Sequence, residues 1–527
     1  MEYTEHFNTK KTHQMQPIPG KDMVKNTAGG YTFEISFWGC LDRFLVLGNE
    51  GGTYYASEKK LTQKNAKKVI ECIKEDGVRA VEVIKEMSVS GRAPKNDPAI
   101  FALALCCTFG DKDCKGAAYN VIENVCRIGT HLFQFCEAIK ALRGWSAGLR
   151  AGVSNFYLNK KIDSVAYQLI KYQQRNGWSH KDVLRLAHPN PRDVSDSEKR
   201  NALFRYVVGK DMKPGMELPD QIWAFKAIQE MTKVNPKFVA DSKLPRECIP
   251  TSWLNNKDVW AALLETMPIT AMIRNLGKMT NVGLLKSNFD DAVKKVVSQL
   301  GDMEVLKKGR VHPLALLTAS KIYQQGCGMK GSLKWKPVGN IADAMEEAYY
   351  MAFDCVEPTG KNCLIGLDVS SSMGWGQIAG SPLNPAEAAA AMCMITVRTE
   401  PYCEIMAFAS HFKNINITKK DRFDAVLKKT SDINFGRTDC ALPVLYALKH
   451  NLPVDAFFIY TDNETYAGTI HPSQALLQYR KTRSAKLCVI GMTATEFSIA
   501  DPKDPGMMDF VGFDMSAPRI MADFIRG

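Results

Sequence analysis

The sequence predicts a two-part protein: an α-solenoid of stacked helices, then a doubly wound α/β domain. Three observations predict it. Helix starts recur about every 15–19 residues, so a helix pair returns at about 35, near the period of helical arrays. From Lys361 onward strands and helices alternate, the pattern of a parallel sheet. The charge is also split. From Lys361 to the end, 17 Lys and Arg balance 17 Asp and Glu, so the whole formal excess of +12 lies before it. The expected division is a loose arm over 1–30, a helical module over 31–360 and the α/β domain over 361–527.

Bulk properties narrow the class. A chain of 527 residues is long enough for more than one core. Its 45% hydrophobic and 24% charged content are those of an ordinary globular protein. No apolar run approaches the ~20 residues of a membrane helix, and the opening M-E-Y-T-E-H-F has no signal-peptide core. The fifteen cysteines form no C-x-x-C pair, which fits reduced thiols rather than a disulfide framework or a zinc site. The expectation is a cytoplasmic protein with no membrane segment.

In order, residues up to Gly30 are polar, carry Pro17 and Pro19, and show no period. Tyr31 to Tyr55 is aromatic and β-branched, broken by Gly51-Gly52; a hairpin and an irregular cover both fit. From Leu61 the pattern turns helical. Ala66, Val69, Ile70 and Ile73 share a face that Gly77 stops; Ala80, Val81, Ile84 and Met87 share the next, stopped by Gly91. Further helices start near Asp97, Lys115, His131, Ala147, Ile162 and Ser179.

One corner of this array concentrates cations. Ile162, Val165, Ala166, Leu169 and Ile170 make a core-facing stripe, with Lys171 and Arg175 together on the other side. Asn176-Gly177 breaks the helix. Ser179 then caps a second helix carrying Lys181, Arg185 and His188. Read alone, the corner fits phosphate contacts or a solvated face whose terminal His answers the helix dipole. Two further basic stretches run from Arg274, Lys278 and Lys286 through Lys294, Lys295, Lys307, Lys308 and Arg310, and from Lys330 through Lys334-Trp335-Lys336. The last interleaves an aromatic with lysines, as single-strand binders do, although Trp335 also fits a core position.

In the α/β domain the expected strands are Cys363–Val369, Cys403–Phe408, Ala456–Thr461, Lys486–Gly491 and Phe510–Phe513, with a last helix from Pro518. The first ends in Asp368, and Ser370 and Ser372 follow at alternate positions. Thr438 lies in a loop, and Asp462 directly follows the strand F-F-I-Y-T. All five oxygens fall on the edge where open α/β sheets hold ligands. Carboxylates and hydroxyls suit a hard cation such as Mg²⁺, and this fits better than serines that merely cap the next helix. From Lys361 onward no G-x-G-x-x-G or GK[ST] loop is present, which argues against those modes of nucleotide binding by the α/β domain.

These residues carry a resemblance. D-x-S-x-S with a later Thr and Asp is similar to the metal-ion-dependent adhesion site of von Willebrand factor A domains. The chain as a whole resembles the Ro autoantigen family of TROVE-module proteins. The matching stretches include G-G-T-Y-Y (51–55), V-C-R-I-G-T-H-L-F (125–133), R-N-G-W-S-H-K-D-V-L-R-L-A-H (175–188), I-R-N-L-G-K-M-T (273–280), L-K-W-K-P (333–337), G-R-T-D-C (436–440) and T-D-N-E-T-Y-A-G (461–468). The resemblance implies a ring of HEAT-like repeats closed by the von Willebrand domain. It implies Y or Y-like small noncoding RNAs on a basic outer surface, and single-stranded ends of misfolded noncoding RNAs in the central hole. RNA contacts carry over onto Lys171, Arg175 and His188, with Arg127, Thr130 and His131 in a second family-like stretch. The metal ligands carry over as Asp368, Ser370, Ser372, Thr438 and Asp462, holding Mg²⁺ or another divalent cation and leaving room for a partner's acidic side chain. An exoribonuclease is a further implied partner.

The expectation is therefore a non-enzymatic RNA-binding protein acting in RNA quality control and stress survival. A metal-dependent ribonuclease using Asp368 and Asp462, and a metal-dependent protein-adhesion scaffold, are the alternatives. Against the nuclease, one ligand set is visible where phosphodiester cleavage commonly uses two ions.

Overall fold

The computed structural model describes residues 11–48, 58–90, 93, 95–309, 311, 313–328, 332–351, 357–378, 383–431, 436–511 and 517–526. The G-G-T-Y-Y stretch, Gly91, Arg310 and Lys330 lie outside them.

Helices dominate from Phe37 to Met351. Their starts at Asp97, Lys112, Gly129, Ala147 and Ile162 follow the sequence pattern closely. The long segment Glu58–Ser90 is two helices that meet at a break at Asp76. Gly77 follows the break, and a Cβ there would sit 2.6 Å from the Cys114 Cβ, so the bend brings two backbones together where only glycine fits. The fourteen described cysteines are all free thiols, most of them buried. Among the described residues no helix is long and apolar enough to cross a membrane.

Short strands β1 (Val24–Lys25) and β2 (Tyr31–Glu34) precede the helices, and β3 (Gln174–Arg175) and β4 (Trp178–Ser179) interrupt them. The α/β domain then supplies β5 (Asn362–Asp368), β6 (Tyr402–Phe408), β7 (Phe412–Asn414), β8 (Ala456–Thr461), β9 (Lys486–Gly491), β10 (Phe497–Ser498) and β11 (Met507–Phe510). Six of these make one sheet in the order β11-β9-β8-β5-β6-β7. Every pair is parallel except the β6–β7 edge. The central strands are buried on both faces, which explains why they read as continuous apolar runs rather than alternating ones. Leu364 packs with Phe457, Ile459, Leu487 and Val489 on one face. Ile365 and Leu367 pack with Phe458, Tyr460 and the helix Pro385–Thr399 on the other, in a core continuous with the helical module. The last strand differs from its expected place: β11 ends at Phe510, and residues 512–516 lie outside the described set.

The helical run starts and finishes on the same domain. At its start β2 pairs antiparallel with β10, Phe33 opposite Ser498, and buried Arg43 makes an ion pair with Asp509. At its end Lys321 pairs with Glu387, the Tyr349 hydroxyl donates to the Ala391 carbonyl at 2.8 Å, and Arg422 bridges Asp343 and Glu346. The chain path is thus closed by the α/β domain.

The arm expected to be loose is not loose over 11–30. Gln14, Ile18 and Asn26 are buried, and Lys21 pairs with Asp501 at 2.7 Å. Composition suggested disorder because the arm's polar groups find their partners more than 400 residues away.

Candidate metal centre and nucleic-acid interface

Parallel register brings Asp368 and Asp462 to one sheet edge, with Ser370 and Ser372 beside them. β5 and β8 are neighbours, with Leu367 opposite Tyr460, so Asp368 and Thr461 end adjacent strands. Asp368 is 1% exposed. Its Oδ1 accepts from the Ser370 N–H at 2.9 Å and its Oδ2 from the Thr461 hydroxyl at 2.6 Å. The Ser370 and Ser372 hydroxyls lie 3.1 Å apart, and Ser372 is hydrogen-bonded to Asp462. Asp462 also accepts from the Glu464 N–H at 3.1 Å. Thr438 is buried, and its carbonyl accepts from the N–H groups of Tyr466 and Ala467, which ties its loop to the Asp462 loop. A cavity of about 410 Å³ borders Asp368 and Ser370.

The electrostatics define what this cluster lacks. Burial, then the neighbouring Asp462 charge, pushes the Asp368 carboxyl up to about 7. Burial raises Asp462 too, and burial followed by the Asp462 charge pushes Glu464 up to about 8. Among the described residues no Lys or Arg forms an ion pair with these carboxylates. Two carboxylates with three hydroxyl side chains form a hard oxygen donor set, and buried like charges without a counter-ion suit a divalent cation. Among the described residues no group of three or more His, Cys, Asp and Glu is arranged to hold a metal, so a cation here depends on the serines and threonine. The residues present fit the ion expected from the sequence. Asp368, Ser370, Ser372, Thr438 and Asp462 would hold it, and it would supply positive charge and an open coordination position.

The N-terminal arm braces this centre, which local sequence reasoning missed. Gln14 is 0% exposed. Its Nε2 donates to Asp439 Oδ1 at 2.7 Å and to the Ile470 carbonyl at 2.9 Å. Its Oε1 accepts from the Thr465 hydroxyl at 2.6 Å and the Gly468 N–H at 3.0 Å. Asn26 donates to the Thr465 carbonyl at 2.8 Å, and the Ala28 N–H donates to Glu464 at 2.9 Å. The approach is close: a Cβ on Gly30 would sit 1.9 Å from the Thr465 carbonyl oxygen, and one on Gly468 2.3 Å from the Gln14 amide. Gln14→Leu removes four buried hydrogen bonds and leaves the Ile470 carbonyl and the Gly468 N–H unsatisfied, at about 1–3 kcal/mol each before relaxation, while Asp439 keeps the Ala441 N–H and Thr465 keeps Cys440 and Thr438. Hydrogen exchange is expected to rise at Thr438–Asp439 and at Thr465–Ile470, while amides in the middle of β5 stay protected. Unchanged protection in both loops would refute the bracing role.

The cationic corner is built by a two-residue hairpin. Asn176 (φ 52°) and Gly177 (φ 75°) both have positive φ, as a type I′ turn requires, and pair β3 with β4. Arg175 is exposed on β3. Lys171 ends the helix Ile162–Lys171. Its Nζ donates to the Tyr167 hydroxyl at 3.1 Å and lies 5.1 and 5.3 Å from the Tyr167 and Tyr172 ring centroids. Ser179 and Asp182 form a capping box for the helix His180–Ala187, and exposed His188 ends it in the left-handed conformation. That sets His188 about 12 Å along the helix axis from the hairpin.

The second family-like stretch abuts the same corner. A Cβ on Gly129 would sit 2.8 Å from the Tyr172 Cβ and 2.8 Å from His180 Nε2. Thr130 is half-buried in the first turn of the helix Gly129–Leu142. Arg127 donates to the Ser88 carbonyl at 2.6 Å. The Asn96 amide donates to the Val125 carbonyl and faces His131 Nδ1 at 3.2 Å, so that nitrogen accepts. Burial holds the His131 imidazole down at about 4, which keeps it neutral at pH 7. His131 therefore offers hydrogen bonding, not charge. Buried His180, bonded to the Tyr157 hydroxyl at 2.8 Å and packed against Phe133, holds the corner from beneath; nothing in its sequence context marked it.

The fold defines a class: a helical module closed on a von Willebrand factor A domain. Family models place it further. The TROVE domain matches residues 24–229 and 242–322, and the Ro60 vWA domain matches residues 362–525. The chain belongs to the Ro60 family of TROVE proteins. It is 41% identical to the RNA-binding protein RO60 of Deinococcus radiodurans, covering 96% of this chain and 95% of that one. It is 36% identical to the RNA-binding protein RO60 of Caenorhabditis elegans, covering 98% and 91%. The crystal structure of the Deinococcus radiodurans RO (RSR) protein superposes with a TM-score of 0.70 at 40% identity, over 93% of this chain and all of that one.

Proposed function

We propose that this protein is a non-enzymatic RNA-binding scaffold. The observation that carries this reading is the basic corner: Lys171 and Arg175 beside a two-residue hairpin and His188 at the end of the helix that follows it, in a chain whose curated relatives are named as RNA-binding. Its expected ligands are Y or Y-like small noncoding RNAs at that corner, and single-stranded ends of misfolded noncoding RNAs gathered within the closed helical path. The excess of basic residues before Lys361 supports polyanion binding with strong salt dependence. Its expected role is RNA quality control and stress survival in the cytoplasm, with an exoribonuclease as a working partner. Mg²⁺ at Asp368, Ser370, Ser372, Thr438 and Asp462 would present an open position to an acidic side chain of a protein partner. Filter binding of a small structured RNA across a salt series tests the central reading, which fails if the protein ignores such RNA at low ionic strength.

The nuclease alternative makes a different prediction. Purified protein incubated with end-labelled RNA and Mg²⁺ is expected to leave the RNA intact on a denaturing gel. Cleavage that disappears in Asp368→Ala would replace the scaffold with a metal-dependent ribonuclease.

A further inference from the structure

Two basic stretches of the sequence remain outside the sites above, and the fold brings them together. Arg274 and Lys278 lie on the helix Ile269–Asn281, and Leu333 to Trp335 lie on the loop after the helix Pro313–Gln325. Between them, with Arg246 from a neighbouring turn, is a cavity of about 590 Å³. That is within the range of about 300–1,000 Å³ for small-molecule sites. Ile273, Ala319, Ile322 and Leu333 form apolar walls, and Thr270 and Asn275 add polar atoms.

The cavity is preformed. Trp335 Nε1 donates to the Tyr323 carbonyl at 2.8 Å, and its backbone N–H donates to the Gly326 carbonyl at 2.9 Å. Its ring stacks on Tyr323 at 6.2 Å and rests on Gly277, where a Cβ would meet it at 2.8 Å. Asn281 anchors the loop through the Lys334 carbonyl at 2.8 Å.

Its charge is one-sided. Arg246, Arg274 and Lys278 are among the lining residues, and none of the lining residues is acidic. Lys278 donates to Asn255 at 2.9 Å, an uncharged partner. Arg246 and Arg274 are exposed. An apolar slot beside guanidinium groups matches a flat base joined to a phosphate.

We propose that this cavity is a subsite for one nucleotide unit, with its base against the Ile273–Leu333 wall and its phosphate on Arg246 and Arg274. The assignment of the nucleotide to RNA rests on the RNA-binding reading above; the chemistry of the subsite does not.

Full-length protein is tested by fluorescence anisotropy with a labelled single-stranded oligoribonucleotide of about ten residues. Arg246→Ala with Arg274→Ala is expected to weaken binding about 10-fold or more and to flatten the salt slope by about 0.7, for the one phosphate released. Ala315→Trp keeps every charge and fills the cavity from an exposed lining position; it is expected to cause a comparable loss. Adenosine monophosphate as competitor separates the sources: displacement of the oligomer means that free nucleotide also enters, and none means that the polymer is required. Wild-type affinity in both variants overturns the subsite. If the wild type ignores all RNA, the RNA reading has failed, yet adenosine monophosphate binding lost in the double variant would still support the subsite. Binding of neither probe overturns both.

Discussion

Lys171→Ala combined with Arg175→Ala is expected to weaken binding of a small structured RNA by one to two orders of magnitude, about 1.4 kcal/mol per decade. It should also make the affinity less salt-dependent, since each lost phosphate contact removes close to one released counterion. The size of the effect follows from how the two cations are held. The Lys171 ammonium is hydrogen-bonded to Tyr167 and flanked by two tyrosine rings, so it loses less freedom on binding than a lysine swinging in solvent. Arg175 rides on a two-residue hairpin whose turn fixes the backbone. Lys181→Ala with Arg185→Ala removes equal charge from exposed positions on the next helix. If that control costs as much affinity as the first pair, the attraction is diffuse and the corner is not a site.

What the sequence disclosed depended on how local the cause was. The cluster at the sheet edge was legible because Asp368 ends one apolar run and Asp462 follows another, and parallel strands bring such ends to one edge. The helical module was legible because the apolar face recurs with helical spacing, and Gly77 marks the bend for a steric reason. The Lys171–His188 corner was legible as a charge cluster, but Asn176-Gly177 read as a helix break when it is a hairpin turn. Strands β7 and β10, three and two residues long, carry too little pattern to be seen. The Gln14 brace was illegible in principle. Its four side-chain hydrogen bonds reach residues 425 to 456 positions away, and no local composition encodes them. The nucleotide-sized cavity was half legible: both basic stretches stood out, while their convergence on one pocket depends on helix packing.

The buried carboxylates yield the other large effect, because their like charges oppose folding and the proposed cation would relieve them. A carboxyl that titrates near 3.9 in an unfolded chain is pushed up to about 7 at Asp368. The folded state therefore holds that proton more tightly. Its contribution to stability is complete below pH 4 and is lost as pH rises through 7. Burial moves Asp462 the same way. Without a divalent cation, ionised Asp368 alone costs a few kcal/mol of stability at pH 8. Asp368→Asn removes that charge in nearly the same volume, giving up about 1 kcal/mol for one of the two hydrogen bonds from Ser370 and Thr461. In EDTA at pH 8 the variant is therefore expected to unfold at a higher temperature than the wild type. Mg²⁺ should reverse the ranking: at a thousandfold excess over its dissociation constant it stabilises the wild type by about 4.1 kcal/mol and the variant hardly at all. The wild-type response should shrink as pH falls from 8 to 5, because protons then compete for the same oxygens. Thermal unfolding with Mg²⁺ or EDTA at each pH measures all three. A Mg²⁺ response that persists in Asp368→Asn, or that is equal at pH 5 and pH 8, would remove these carboxylates from the metal centre.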